Sequence, residues 1–168
     1  MSEQGRGILL AIVTGEAGER VQRWREEHVP DQACRYPPHT TLCYWVQDDI
    51  DALDAQVRHA FPAPVEVALG GPHIFENPGR TMYVEVRDHE ELDAARERLT
   101  DGTHLELPGR EGWTWHVTCL RHTDGVAPEV LAAAARELQI DGPWRVEEIA
   151  YFVLVGDAYE RRRTWRLG

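Results

Sequence analysis

Lysine is missing from this sequence of 168 residues, so all 18 basic side chains are arginine. Without a flexible primary amine there is no Walker phosphate loop, no Schiff-base residue and no nucleophile to carry an adenylate. ATP-driven ligases of the lysine-adenylating kind are thereby excluded. Cysteine is scarce: Cys34, Cys43 and Cys119 are widely spaced and form no C-x-x-C pair, which argues against a zinc cluster or dithiol redox site. Buried packing in a reducing compartment is the expected role for all three. Long apolar runs are also lacking. Ile8 to Val13 is six residues long, too short for a signal core or a membrane span, so the expectation is a cytoplasmic protein with no membrane partner.

Positive charge is in deficit: 18 basic against 29 acidic side chains give a net charge of -11. Such a field repels long polyanions, so duplex DNA is not an expected partner. The 42% hydrophobic and 28% charged residues are enough for one domain with a real core, or for two small lobes that share one.

Patterning along the chain alternates strand and helix. Ile8 to Val13 reads as a strand buried on both faces. Ala17, Val21, Trp24 and His28 then mark one face of a helix. After Pro37-Pro38, His39 to Val46 reads as a second strand, and Ile50, Leu53 and Val57 give a helix from about Asp49. Val65 to Leu69 reads as a strand ended by a Gly70-Gly71-Pro72 turn, followed by a short apolar piece, His73 to Phe75. The order then restarts. Met82 to Val86 alternates as a strand, Leu92, Ala95 and Leu99 line a helix, and Trp113 to Leu120 reads as a strand. Ala127 to Leu138 is helical and is stopped at Asp141-Gly142-Pro143. Trp144 to Val155 and Arg163 to Leu167 supply closing strands. The expected fold class is α+β: one domain over 1–168, with two pseudo-symmetric lobes, roughly 1–75 and 76–168, whose antiparallel sheets face a central cleft with helices outside.

Of the eight histidines, only His39 and His116 have a hydroxyl residue two places on, in His39-Thr40-Thr41 and His116-Val117-Thr118. On a strand, positions i and i+2 share a face, so each triplet sets an imidazole beside a hydroxyl. In-line displacement at phosphorus needs a base on the attacking oxygen and an acid on the leaving oxygen, with donors on the non-bridging oxygens. Imidazoles serve either role near neutrality, and Thr41 and Thr118 supply neutral phosphate donors without demanding a metal.

At these motifs the chain resembles the two-histidine (2H) phosphoesterases, which include the bacterial 2',3'-cyclic phosphodiesterases also called 2'-5' RNA ligases. His39-Thr40-Thr41-Leu42 with Tyr44 and Trp45 resembles the family's first motif. His116-Val117-Thr118-Cys119-Leu120-Arg121 resembles the second. Phe75 with Asn77-Pro78-Gly79-Arg80 and the Met82 to Val86 strand is similar to the segment joining the lobes, and Ile149 to Val155 with Tyr159 to the closing hairpin.

The resemblance implies His39 and His116 as catalytic residues, Thr41 and Thr118 as phosphate ligands, and Arg121 as a third, provided that a bend aims it inward. Phe75, Tyr44 and Tyr159 are candidates to stack a base. No metal or other cofactor is expected. The expected activity is opening of a 2',3'-cyclic phosphate on a nucleotide or short RNA end by a monomer. Alternatives are a 2'-5' oligoadenylate or cyclic dinucleotide as substrate, or a nucleotide-binding module without turnover. His28 is read as a packing residue, and His59, His73, His89, His104 and His122 as no part of a site. Arg161-Arg162-Arg163 is read as a solvated turn.

Overall fold

Two four-stranded antiparallel sheets form the frame, in the orders β2-β1-β7-β8 and β5-β4-β3-β6. In the computed structural model, which describes residues 7–46, 49–75, 80–101, 114–121, 123–156 and 158–168, the strands are β1 (Gly7–Ile12), β2 (His39–Val46), β3 (Val65–Ile74), β4 (Met82–Arg87), β5 (His116–Leu120), β6 (Ile140–Val146), β7 (Glu148–Val155) and β8 (Ala158–Arg166). The helices are α1 (Gly15–His28), α2 (Pro30–Ala33), α3 (Ile50–Ala60), α4 (Glu90–Thr100) and α5 (Pro128–Glu137). Among the described residues no helix is long and apolar enough to cross a membrane. The architecture is α+β, as the alternation of patterns predicts.

Local chemistry explains where the elements start. Asp49 caps α3 by accepting the Ala52 N–H at 3.0 Å, which satisfies one of the donors a helix N-terminus leaves open. Helix α1 enters so close to β1 that a Cβ on Gly18 would collide with the Val13 carbonyl. Only glycine allows that approach.

The sheets do not divide the chain at residue 75. β3 pairs with β4 and β6, whereas β7 pairs with β1 and β8. The chain therefore makes one edge of the first sheet, builds the whole second sheet, and returns to finish the first. Three readings of breaker residues are also corrected. Gly70-Gly71-Pro72 does not end β3; the strand runs on to Ile74 through a register shift between Gly70 and His73, where Gly71 has φ +145° and Pro72 has no N–H to give the ladder. Asp141-Gly142-Pro143 lies inside β6, paired with Gly70, Leu69 and Ala68. Arg161 to Arg163 lie inside β8, an edge strand, where charged side chains deter pairing with other chains.

One apolar cluster runs through both sheets, joining Leu9, Ala11 and Leu42 to Val84, Val117 and Leu69 and to Val21 and Trp24 of α1. Cys43 and Cys119 belong to this core, and burial pushes each thiol up to about 12. Cys34 departs from expectation: it follows α2 and is exposed.

Polar ties also cross between the sheets. Arg96 of α4 is buried and donates from Nε to the Leu42 carbonyl of β2 at 3.0 Å, and Trp24 Nε1 donates to the Ala134 carbonyl of α5 at 3.0 Å.

Candidate active site

β2 and β5 each form one edge of their sheet, and they pack against each other. Period-two alternation then decides which side chains meet. His39 and Thr41 stand opposite Ile12 and Leu10 of β1, while His116 and Thr118 stand opposite Glu85 and Tyr83 of β4. In-register partners share a face, so each His–Thr pair lies on the face its sheet turns away from the core cluster holding Leu9, Ala11, Val84 and Val86. His39, Thr41 and Thr118 are each only 8% exposed.

The two imidazoles are held in the same way. His39 Nδ1 lies 2.8 Å from the Pro37 carbonyl oxygen, and His116 Nδ1 lies 2.8 Å from that of Thr114. A carbonyl only accepts, so the proton sits on Nδ1 and the neutral ring offers its lone pair at Nε2. In both cases the acceptor lies two residues before the histidine, which fixes tautomer and orientation together.

Their surroundings differ. Tyr36 meets His39 edge-on, with centroids 5.0 Å apart. Two guanidinium groups attend that tyrosine, Arg25 at 5.3 Å and Arg121 at 5.9 Å from its centroid. Burial above all pushes the His39 pKa down to about 4; the Pro37 carbonyl opposes this, and the charges of Arg25, Arg121 and His116 add to it. His116 is also shifted down, first by burial and then by Arg121, against the pull of the Thr114 carbonyl. Both shifts favour the neutral ring, and an anion bound nearby would oppose them. The charge of His116 is the smallest of the causes that act on His39.

Arg121 reaches this site because the chain bends after β5 ends at Leu120. Gln32 of α2 holds the bend from the other lobe: its Nε2 donates to the Arg121 carbonyl at 3.1 Å and its Oε1 accepts the Arg121 N–H at 3.0 Å. Arg25, 1% exposed, in turn fixes the segment from Gln32 to Tyr36, donating to the Gln32 carbonyl at 3.1 Å and to that of Tyr36 at 3.0 Å. Burial lowers the Arg25 pKa, but an arginine remains charged. The site thus has a buried cation, Arg25, that acts on His39 and an exposed one, Arg121, that acts on both histidines.

The aromatic candidates separate. Phe75 meets His116 edge-on at 5.0 Å and stacks on Tyr83 at 3.9 Å. Tyr159 is 37% exposed and meets Tyr36 edge-on at 5.9 Å. Tyr44 is paired in register with Ile8 on the His39 face of β2. Asn77, Pro78 and Gly79, with His104 and His122, lie outside the described residues.

Tyr36, Arg25, Gln32 and Tyr83 escape a reading of the sequence. Arg25 looks like one of several charges on α1, and nothing in the spacing tells Tyr36 from a loop aromatic. His28 packs on Trp24 at 4.6 Å, as expected, and also pairs with Glu137 at 2.9 Å. With Glu27 these two bring three ligand atoms within 4.8 Å of one another, but all three are exposed and the group uses none of the residues around His39 or His116.

A family model described as the 2'-5' RNA ligase superfamily matches residues 14–158. The chain belongs to that superfamily. Within it, this member has the fold of E. coli LigT: the LigT complex with 3'-AMP superposes with a TM-score of 0.60 at 16% identity, covering 97% of this chain and 98% of the other. A structure described as a phosphoesterase gives 0.61 at 15% identity over 97% and 98%. Kluyveromyces marxianus Usb1 with uridine monophosphate gives 0.50 at 13% over 95% and 99%. At such identities the superpositions establish the fold of this superfamily member and nothing finer. No curated protein sequence matches it.

Proposed function

We propose that this 2H phosphoesterase hydrolyses a 2',3'-cyclic phosphate on a nucleotide or short RNA end, with His39 and His116 as general base and acid and no metal in the step. The observation that carries this reading is the matched pair of imidazoles on facing edge strands. Each is pinned through Nδ1 to the carbonyl two residues back, and each has a threonine beside it.

The chemistry follows from that pair. One Nε2 takes a proton from water as its oxygen attacks phosphorus; the other imidazolium gives a proton to the departing ribose oxygen, so the P–O bond of the ring breaks and the proton count balances. Thr41, Thr118 and the Arg121 guanidinium stabilise the charge on the non-bridging oxygens. His39, ringed by cations and nearly buried, is the harder of the two to protonate and suits the base in the hydrolytic direction. His116, with Glu85 as its register partner, suits the acid. In the ligating direction the roles exchange.

The neighbours supply the substrate class by analogy: LigT is described with 3'-AMP and Usb1 with uridine monophosphate. The net charge of -11 favours small substrates over long RNA. The decisive experiment is a product assay on 2',3'-cyclic nucleotides, 2'-5' oligonucleotides and cyclic dinucleotides, with the His39→Ala/His116→Ala protein as blank. Ring opening that persists in EDTA and follows a bell-shaped pH profile is expected. Loss on chelation, or tight binding of the panel without product, overturns the reading.

A further inference from the structure

The lobe carrying His116 holds a group that phosphate chemistry does not use. Glu85 stands in register with His116 on β4 and is 41% exposed. Its carboxylate lies 3.4 Å from His73 Nε2. Tyr83, two residues earlier on the same face, stacks on Phe75 at 3.9 Å and lies 5.7 Å from the His73 ring. His73, read from sequence as no part of a site, is thereby placed in a cluster with Glu85, Tyr83 and Phe75 around the open side of His116.

A carboxylate repels phosphate, so its place beside a phosphate site calls for explanation. Arg25 and Arg121 flank Tyr36 beside His39, and Arg121, at the end of β5, acts on His116 as well. Arg87, the arginine two places beyond Glu85, is engaged by Asp141 at 2.6 Å and the Leu69 carbonyl at 3.2 Å. The guanidinium groups thus gather at Tyr36, while Glu85 with its aromatic company lies farther along the His116 face of β4. A nucleotide has the matching polarity: an anion at one end and, at the other, a flat ring with N–H donors on its edge.

We propose that Phe75, Tyr83, His73 and Glu85 form a nucleobase subsite in which the Glu85 carboxylate selects guanine. This rests on the nucleotide phosphodiesterase reading above. A carboxylate offers two acceptor oxygens and no donor. Guanine alone presents two adjacent donors, N1–H and the N2 amino group, which both oxygens can take. Adenine and cytosine offer one amino donor beside a ring acceptor, and uracil sets its single N–H between two carbonyls that repel the carboxylate. Reading of an exposed base edge together with aromatic stacking is the usual way proteins recognise unpaired nucleotides.

The test compares kcat/KM for 2',3'-cyclic GMP, AMP, CMP and UMP in the wild-type protein and in Glu85→Gln, which keeps the size and removes one acceptor. The wild type is expected to prefer the guanine substrate over the uracil one by about tenfold or more, and Glu85→Gln to cut that ratio by about tenfold. A wild-type ratio near one, or one that Glu85→Gln leaves unchanged, overturns the subsite. Fluorescence titration of 3'-GMP and 3'-UMP into the His39→Ala/His116→Ala protein separates the two claims. Tighter 3'-GMP binding in the absence of any wild-type turnover keeps the subsite and sinks the catalytic reading. Turnover with equal binding does the reverse, and neither turnover nor selective binding sinks both.

Discussion

The two histidines share one backbone geometry and sit among different neighbours. His39 and His116 each donate from Nδ1 to the carbonyl two residues back at 2.8 Å, yet His39 faces Tyr36 with two arginines behind it, while His116 faces Phe75 and Tyr83 with a glutamate in register. The sheet faces that carry them differ likewise. Around His39 the face is aliphatic and covered, with Leu10, Ile12, Ala150 and Phe152 all buried. Around His116 it carries Tyr83, Glu85 and Arg87, none of them buried. Strand geometry repeats because it depends on period-two alternation alone. The neighbours do not repeat, and the proposed division into base and acid rests on them.

The largest effect expected from breaking this pairing is catalytic. His39→Ala and His116→Ala should each lower kcat by about 10²- to 10⁴-fold with the unfolding transition still cooperative in circular dichroism; full activity in either variant breaks the scheme. A second outcome concerns stability. His39 falls to about 4 in the folded chain from an ordinary value near 6.5, so the unfolded state binds the proton more readily. Stability from this group is complete above the unfolded value and is lost as pH falls from about 6.5 toward 4, by about 3 kcal/mol. Urea titrations across that range should show the loss, and His39→Gln should flatten it. An NMR titration should place the His39 ring below the His116 ring, and the reverse order would invert the assignment of base and acid.

The effect of Arg121→Ala is next, at about 10- to 100-fold in kcat/KM for the loss of a charge-assisted bond. Gln32→Ala should reproduce part of it. Because both act through one guanidinium, the double variant should lose no more than Arg121→Ala alone; additive losses would mean that Gln32 does something else. Smallest is the exchange of Thr41 or Thr118 for valine, expected to cost about 1 kcal/mol, or roughly fivefold in kcat/KM, through a neutral donor.

Much of this frame is legible in the residues. Alternation places His39, Thr41, His116 and Thr118 on strands, and apolar spacing places α1, α3, α4 and α5. What escapes is pairing at long range. Gly71-Pro72 and Gly142-Pro143 read as stops because local preference is all a sequence window displays, whereas pairing with β6 carries β3 through Gly71 and pairing with β4 resumes at His73. Arg25 escapes for the same reason, since it lies a helix away from His39 in sequence, and so does the grip of Gln32 that holds Arg121, itself a candidate from the sequence, from the other sheet.

Strand order also bears on how the protein comes off the ribosome. β1 and β2 can pair early, but the second edge of β1 waits for β7, which follows the whole of the other sheet. During that interval an apolar strand, Leu9, Leu10, Ala11 and Ile12, presents unpaired backbone. The half of the candidate site that is translated first is thus among the last parts to gain its permanent support.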